Sequence, residues 1–256
     1  MKKILLSLSY LLILLLFFSC SSYKEIPYFQ DLDRSKTVLE NIGNYSPLTI
    51  QPEDILGINV SSLNPEASAI FNYNLNSISG TNNNDLNNPV TGYLVDQKGE
   101  IQLPLIGTLK VGGLTTAELR TQMRNKLLTY LKEPVVNIRM LNFKISVMGD
   151  VGRPGVYQGQ NERITLPEAL ILAGDLNITA KRNDVLLIRE RDGKRGYITI
   201  DFTSKDLFNS PYYYLKNNDV LYIKPGRTKY ASVDNGYRNI SLALSALSIL
   251  AIVLTR

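Results

Sequence analysis

The stretch QPEDILGINV at residues 51–60 marks the point where the folded part of the chain begins. Its first four residues favour a turn, and the six that follow favour a strand. Because Leu56, Ile58 and Val60 alternate with residues that include another isoleucine and a glycine, alternation alone does not assign their faces. The residues before it, 20–46, are polar and of mixed charge, so they are predicted to be a tether.

A first set of helix and strand signals follows over residues 93–138. The turn DQKG at 96–99 is flanked by short apolar stretches and predicts a β-hairpin. Thr115 and Glu118 have the spacing of a capping box, which starts a helix by satisfying its free N–H groups. The buried face of that helix is predicted to contain Leu119, Met123, Leu127 and Leu131. Pro134 ends the helix, and a strand follows at 135–138.

A second set of signals covers residues 145–223. Thr165 and Glu168 form another capping box, and Gly174 is the predicted left-handed stop of that helix. The predicted strands are 145–148, 185–189, 197–201, 212–215 and 220–223, with a hairpin across residues 191–194. The sequence therefore predicts an α+β fold of two small modules, at 47–142 and 143–226. Residues 64–92, with nine asparagines, predict a long loop.

Composition excludes several chemistries in this chain of 256 residues. It has no histidine, which removes a Ser-His-Asp triad and a His-ligated zinc site. The formal net charge of +5 is mild, so nucleic acid is not an expected partner. The sequence predicts no catalytic residue, metal site or cofactor. A glycosidase with two carboxylates stays open as a minor alternative.

The N-terminus has the pattern of a lipoprotein signal. Lys2 and Lys3 precede an apolar run that extends to Phe18, and Ser19 then precedes Cys20, the only cysteine. We predict a signal peptide at 1–19 and lipid attachment at Cys20, whose several acyl chains would anchor the protein firmly. The alternative is an ordinary signal peptide or an uncleaved anchor helix.

The C-terminus has a second apolar stretch, residues 240–254. Its fifteen residues would span about 22 Å as a helix, short of a hydrocarbon core of about 30 Å. Extension back to Asp234 supplies the missing length, so a transmembrane helix is predicted at 234–256. Ser241, Ser245 and Ser248 share one face and are the candidate seam for contacts between helices or with a water-filled lumen. The alternative is a C-terminal helix buried in the core.

Two other groups of residues have competing interpretations. Tyr212, Tyr213 and Tyr214 could form an aromatic platform for a sugar, but packing within a strand is the favoured interpretation. The charged residues from Arg189 to Arg195 are interpreted as a solvated hairpin tip, with subunit contact as the alternative.

Several motifs together resemble the outer-membrane polysaccharide export family. The stretch at 51–60 resembles that family's opening strand, although Glu53 stands where glycine is commoner. Residues 93–107 resemble its hairpin and residues 113–118 its helix start. Residues 147–157 and 166–175 are similar to an SLBB domain, a β-grasp module that binds soluble ligands. The resemblance covers nearly all of 23–226.

The resemblance implies a function and an assembly. It implies an export domain at 47–142 and an SLBB β-grasp domain at 143–226. A homo-oligomeric, ring-shaped translocon would export capsular or exopolysaccharide across the outer membrane, with its lipid-anchored body in the periplasm. The implied partner is an inner-membrane chain-length regulator that often carries a tyrosine kinase. The alternative is a monomeric periplasmic lipoprotein that binds glycan or acts as a scaffold.

Overall fold

The fold consists of two α+β modules followed by two helices. The computed structural model describes residues 26–37, 39–72, 92–159, 163–191, 193–233 and 235–255. The strands are β1 (Ile55–Ser61), β2 (Tyr93–Leu94), β3 (Glu100–Leu103), β4 (Gly107–Lys110), β5 (Val135–Met140), β6 (Lys144–Gly149), β7 (Gly155–Gln158), β8 (Ala180–Arg191), β9 (Lys194–Ile200) and β10 (Val220–Pro225). The helices are α1 (Pro65–Ala69), α2 (Thr116–Leu127), α3 (Leu166–Leu172), α4 (Arg227–Val233) and α5 (Asn235–Thr255), with a 3₁₀ helix at Lys205–Asn209.

The first module contains an antiparallel sheet, a separate hairpin and helix α2. The sheet has the strand order β2-β1-β5, and the hairpin pairs β3 with β4. The predicted capping box is present: the Thr115 hydroxyl accepts from the Glu118 N–H, and the Glu118 carboxylate accepts from the Thr115 N–H. The predicted helix face is buried, because Leu119, Met123 and Leu127 are fully enclosed. In β1, Leu56, Ile58 and Val60 all point into this core.

The predicted hairpin across residues 96–99 is wrong in its pairing. The turn itself exists, since the Gly99 N–H donates to the Asp96 carbonyl. However, Tyr93 and Leu94 pair with β1, and β3 pairs instead with the strand that follows it, β4. The local pattern identified the turn but not the partners of its flanking strands.

The second module is built on a five-stranded mixed sheet. Its order is β7-β6-β10-β8-β9, in which only β10 and β6 run parallel. The predicted hairpin of β8 and β9 is confirmed, with Arg191 opposite Lys194. Helix α3 begins with the predicted capping box and ends before Gly174, whose φ of +74° is left-handed. Gly149 is required because an added Cβ would lie 2.0 Å from the Ile223 carbonyl oxygen.

Each module has its own hydrophobic core. Buried residues between Ile50 and Ile138 form one cluster, and those between Met140 and Ile223 form the other. The strand predicted at 212–215 is wrong: these residues form turns and a single bridge, between Tyr214 and Thr165. This mixed architecture confirms the predicted α+β class.

The described part of the predicted tether packs against the second module. Its described residues up to 47 lie along the second module, and we call this segment the N-terminal strap. The Phe29 N–H donates to the Phe202 carbonyl (3.3 Å), and the Gln30 N–H donates to the Thr203 carbonyl (2.6 Å). Further along, the Asn44 amide donates to the carbonyls of Phe208 and Ser210. The chain therefore docks on the second module before it builds the first. Residues 1–25, including Cys20, lie outside the described part, as does most of the predicted Asn-rich loop.

Tyr28 is the central contact of the strap. Its ring covers the buried Arg182 guanidinium at 5.4 Å, and its hydroxyl donates to the Asp175 carboxylate. Burial and the bond to Asp175 raise the pKa of Tyr28. Within the described ranges, Arg182 donates to the carbonyls of Ala180 and Leu176, and the Tyr28 ring adds a cation–π contact to this buried cation.

The last two helices leave from the second module. Lys229 on α4 forms an ion pair with the buried Asp150, and the Gly226 N–H donates to the Thr179 carbonyl (2.7 Å). Helix α5 exposes its apolar side chains, so the alternative of a helix buried in the core is wrong. The exposed residues are Ile240, Leu242, Leu244, Leu247, Ile249, Ile252 and Val253.

Within the described ranges, no helix combines the length and the apolar content that crossing a membrane requires. This finding does not support the transmembrane helix predicted at 234–256. The apolar part of α5 begins only at Ile240, and its fifteen residues reach about 22 Å.

We expect Tyr28→Ala to lower the free energy of unfolding by about 2–4 kcal/mol, because it removes a packed ring and uncovers Arg182. Tyr28→Phe keeps the ring and loses only the hydrogen bond to Asp175, so the free energy of unfolding is expected to fall by about 1 kcal/mol. Urea unfolding followed by circular dichroism measures both. Leu39→Ala, on a strap residue that is 93% exposed, is the control. Equal effects of Tyr28→Ala and Leu39→Ala would contradict a stabilising role for Tyr28.

Candidate functional site: a cleft between the modules

A cleft of about 560 Å³ lies where the two modules meet. One side belongs to the first module, and we call it the first-module wall. The other side is formed by the tip of the β8–β9 hairpin and the turn before β10, and we call it the hairpin wall. The lining residues are Leu48, Thr49, Gln51, Pro52, Glu53, Asp54 and Gln97 on the first wall, and Arg189, Glu190, Arg191, Gly193, Lys194, Arg195, Lys216, Asn217 and Asn218 on the second.

Asp54 lies at the boundary between the walls and is only 2% exposed. Its carboxylate accepts from the Gln51 N–H (2.8 Å) and from the Asn217 side-chain amide (2.7 Å). Burial raises the pKa of Asp54, and the two hydrogen bonds partly oppose that effect. Asp54 therefore joins the first module directly to the turn of the second.

Asn142 makes the matching contact from the other side of the junction. Its side-chain oxygen accepts from the Ile55 N–H (2.9 Å), and its amide donates to the Glu53 carbonyl (2.9 Å). Glu53 has a φ of +72°, in the left-handed region that favours glycine. The Gln97 amide donates to the Glu53 carboxylate (3.1 Å), which places both side chains on the first-module wall.

The base of the hairpin wall is a bidentate ion pair. The Arg189 Nε donates to one Asp219 oxygen (2.9 Å) and its terminal nitrogen to the other (2.6 Å). The Asp219 side chain is 1% exposed and that of Arg189 13%. Arg189 also donates to the Tyr214 carbonyl and lies over the Tyr212 ring. Asp219 therefore neutralises the charge of Arg189, and the paired Arg189 side chain lines the cleft.

Lys216 forms no ion pair with a carboxylate among the residues that the structure describes. Its ammonium group donates to the Ser46 hydroxyl (3.0 Å) and carbonyl (3.3 Å) and to the Pro47 carbonyl (2.8 Å), all neutral oxygens at the end of the strap. Burial, followed by repulsion from Arg189 and Arg191, lowers the pKa of Lys216. The hairpin wall therefore carries positive charge that its own acids do not fully balance.

The structure differs at Arg189 from the interpretation of Arg189 to Arg195 as a solvated hairpin tip. Glu190 and Arg195 are exposed and paired (2.6 Å), as a solvated tip predicts, and such a pair contributes little stability. Arg189 is not part of that solvated tip, because it turns inward to Asp219.

The three tyrosines favoured as packing residues are half-buried. Tyr213 packs on the second core, and the rings of Tyr213 and Tyr214 meet edge to face at 5.1 Å. Tyr45 of the strap meets Tyr214 in the same way. Packing accounts for these rings, and they do not join the cleft.

The predicted serine seam lies on α5, away from the cleft. The Ser245 hydroxyl donates to the Ser241 carbonyl (2.8 Å), and the Ser248 hydroxyl donates to the Ser245 carbonyl (2.8 Å). The three residues therefore lie on one face of α5, and the hydroxyls of Ser245 and Ser248 bond back to the helix backbone.

Sequence reasoning did not identify the cleft. Asp54 stood in a motif, but Lys216, Asn217 and Asp219 lie between two predicted strands and were not identified as candidates. Within the described ranges, no three His, Cys, Asp or Glu side chains gather closely enough to hold a metal ion.

The first module matches a known family. The sequence model of the polysaccharide biosynthesis/export protein family matches residues 43–141. The EPS I polysaccharide export outer membrane protein EpsA of Ralstonia solanacearum is 30% identical over 156 residues, which cover 60% of this chain and 40% of that protein. The protein of the same name from Ralstonia nicotianae is 29% identical over 138 residues, 53% of this chain and 36% of that protein. These matches confirm the family resemblance indicated by the sequence motifs. The matched part spans about two fifths of the length of these relatives.

We expect Asp219→Ala to lower the free energy of unfolding by about 3–5 kcal/mol, because it leaves the Arg189 guanidinium buried without its partner. Glu190→Ala is a matched control on the neighbouring strand: it removes the same charge from an exposed pair, and less than about 1 kcal/mol is expected. Urea denaturation measures the difference. Similar values for the two variants would contradict a structural role for the buried pair.

Proposed function

Residues 43–141 match the sequence model of the polysaccharide biosynthesis/export protein family, and from that match we propose that this chain exports capsular or exopolysaccharide across the outer membrane as a subunit of a ring-shaped translocon. One observation carries the proposal: the family match covers the whole first module, from the buried Ile50 to the buried Ile138. The export domain is therefore an independently packed unit of this chain.

The proposed mechanism needs no catalytic residue. A polymer passes through a hydrated lumen, and the protein supplies walls of fixed size and charge. The rigid elements that such walls need are the two packed cores and the bonded junction at Asp54 and Asn142. The mechanism therefore depends on how copies assemble rather than on one reactive group.

We propose that a lipid on Cys20 anchors the second module at the membrane. Tyr28, which is docked on that module, follows Cys20 by eight positions, and a fully extended chain reaches at most about 28 Å over that distance. Helices α4 and α5 leave the same module. The first module would then project into the periplasm, toward an inner-membrane chain-length regulator or kinase.

The outer face of the second module's sheet is a suitable contact between copies. Met148, Val156 and Tyr197 are 50%, 63% and 64% exposed on this face. The two cross-strand rows are Val156, Ser146, Val220, Ile188 and Tyr197, and Met148, Tyr222, Leu186 and Thr199. A largely apolar sheet face of this kind favours burial against another surface. We propose that it packs against the next copy in the ring.

Helix α5 supplies the second proposed contact. Its apolar side chains are exposed, and its serine face carries small residues that let helices approach closely. We propose that α5 packs against α5 of neighbouring copies, and that this group of helices meets the outer membrane with the serine seam turned to the interior.

The cleft favours the alternative of a monomeric glycan-binding or scaffolding lipoprotein, because ligand recognition there needs only one copy. Electron-microscope particle averaging with mass determination, on protein extracted in mild detergent, separates the two functions. A closed ring supports export. A monomer at every protein concentration supports the alternative.

We expect Met148→Lys to weaken assembly at least about tenfold, because a lysine placed in a packed apolar contact loses its hydration. Particle averaging over a concentration series measures the effect. Leu128→Lys is the matched control, since Leu128 is similarly exposed but lies at the end of α2. Rings that form equally well with Met148→Lys would exclude this sheet face as the contact.

Replacing Ser241, Ser245 and Ser248 together by leucine is expected to abolish most export, because larger side chains fill the seam. The matched triple alanine variant keeps small side chains and is expected to export normally. Surface polysaccharide is measured by immunoblot, and labelled palmitate reports lipidation of Cys20, which should be unchanged. Normal surface polysaccharide in the leucine variant would exclude the seam.

A further inference from the structure

We propose that the cleft between the modules binds one acidic sugar residue of the exported polymer. The sugar carboxylate lies at the hairpin wall, and its hydroxyl groups lie at the first-module wall. This inference rests on the proposed export function and names the class of saccharide that the cleft recognises: a uronic acid, or another sugar with one carboxylate beside free hydroxyls.

The hairpin wall presents cations for the carboxylate. Arg189 and Arg195 are neutralised by Asp219 and Glu190. Lys194 has no ion-pair partner within the described ranges, and the Lys216 ammonium contacts only neutral oxygens. The Lys194 ammonium can therefore donate charge-assisted hydrogen bonds to a carboxylate in the cleft. The Lys216 charge adds attraction for that carboxylate, although its three N–H donors are occupied by Ser46 and Pro47.

The first-module wall presents groups for hydroxyls. The Glu53 carboxylate accepts hydrogen bonds and is oriented by the Gln97 amide at 3.1 Å. The Gln97 side-chain oxygen is a further acceptor, and Asp54 adds a buried carboxylate at the junction. Sugar hydroxyls donate to such acceptors, whereas a bare anion would be repelled by them.

The two walls together select an acidic sugar over simpler ligands. A neutral sugar would leave the Lys194 and Lys216 charges without an anion. Inorganic phosphate would meet the cations but would place negative charge beside Glu53. A sugar acid satisfies both walls, and a cavity of about 560 Å³ lies within the usual size of small-molecule sites, about 300–1,000 Å³.

Glu53 offers a variant that tests the hydroxyl wall without harming the fold. Its φ of +72° suits glycine better than any residue with a Cβ. Glu53→Gly therefore removes the carboxylate and relieves the backbone, so we expect this variant to remain folded.

The test is isothermal titration calorimetry of the full chain, extracted in mild detergent, at 0.15 M salt. The probes are trigalacturonate, maltotriose as the neutral sugar, and inorganic phosphate. We expect trigalacturonate to bind at least about tenfold more tightly than maltotriose, because only it forms charge-assisted bonds. Equal binding of the two saccharides, or no binding of trigalacturonate, would overturn the proposal.

The variants separate recognition from general charge attraction. Lys194→Gln is expected to weaken trigalacturonate binding by about fivefold or more, whereas Lys132→Gln, the same charge change on an exposed residue of the first module, leaves it unchanged. Glu53→Gly is expected to weaken trigalacturonate binding and to leave phosphate binding unchanged or tighter. Equal effects of the two lysine variants, or tighter trigalacturonate binding by Glu53→Gly, would overturn the proposal.

Failure of this inference is distinguishable from failure of the export function. If wild-type rings form but trigalacturonate does not bind, the cleft proposal is wrong and export stands. If trigalacturonate binds the cleft of a monomer that never forms a ring, the acidic-sugar site is supported and the translocon proposal is wrong.

Discussion

Two asparagine side chains fix the relation between the modules, and the cleft depends on them. Only three residues, 141–143, connect β5 to β6, which limits how far the modules can separate. Asn142 bonds to the backbone of Glu53 and Ile55, and Asn217 bonds to the Asp54 carboxylate and to the Lys144 N–H. A short connection alone would leave rotation free. Hydrogen bonds to main-chain groups on both sides remove that freedom, so the two walls of the cleft face each other at a set distance.

The N-terminal strap adds a constraint of a different kind. The chain passes along the second module, is bound by Lys216 at Ser46 and Pro47, and only then enters the first module. Any anchor upstream of Tyr28 therefore acts on the second module directly and on the first module only through the junction. Since Lys216 also lies on the hairpin wall, the end of the strap and one side of the cleft share a single side chain.

Features set by neighbouring residues could be predicted, and features set by distant contacts could not. Both capping boxes and the β8–β9 turn depend on residues a few positions apart, and the structure contains all three. The hairpin at 96–99 was assigned wrongly because its first strand pairs with β1, some forty residues earlier. Tyr212 to Tyr214 have strand propensity but pack against the strap and the core instead. The cleft could not be predicted from local sequence for the same reason, because Asp54 and Asn217, which form a hydrogen bond there, are 163 residues apart.

The backbone at Glu53 argues that the cleft is more than a seam between domains. A residue with a Cβ at φ of +72° costs about 1–2 kcal/mol relative to glycine. The conformation is imposed from outside, because the Glu53 N–H donates to the Val95 carbonyl and the Glu53 carbonyl accepts from Asn142. Glycine would meet both bonds without that cost, so packing does not account for glutamate here. What glutamate adds is a carboxylate held by Gln97 opposite the lysines of the hairpin wall. An unfavourable backbone conformation at a residue whose charged side chain lines a cleft is the pattern expected of a recognition site.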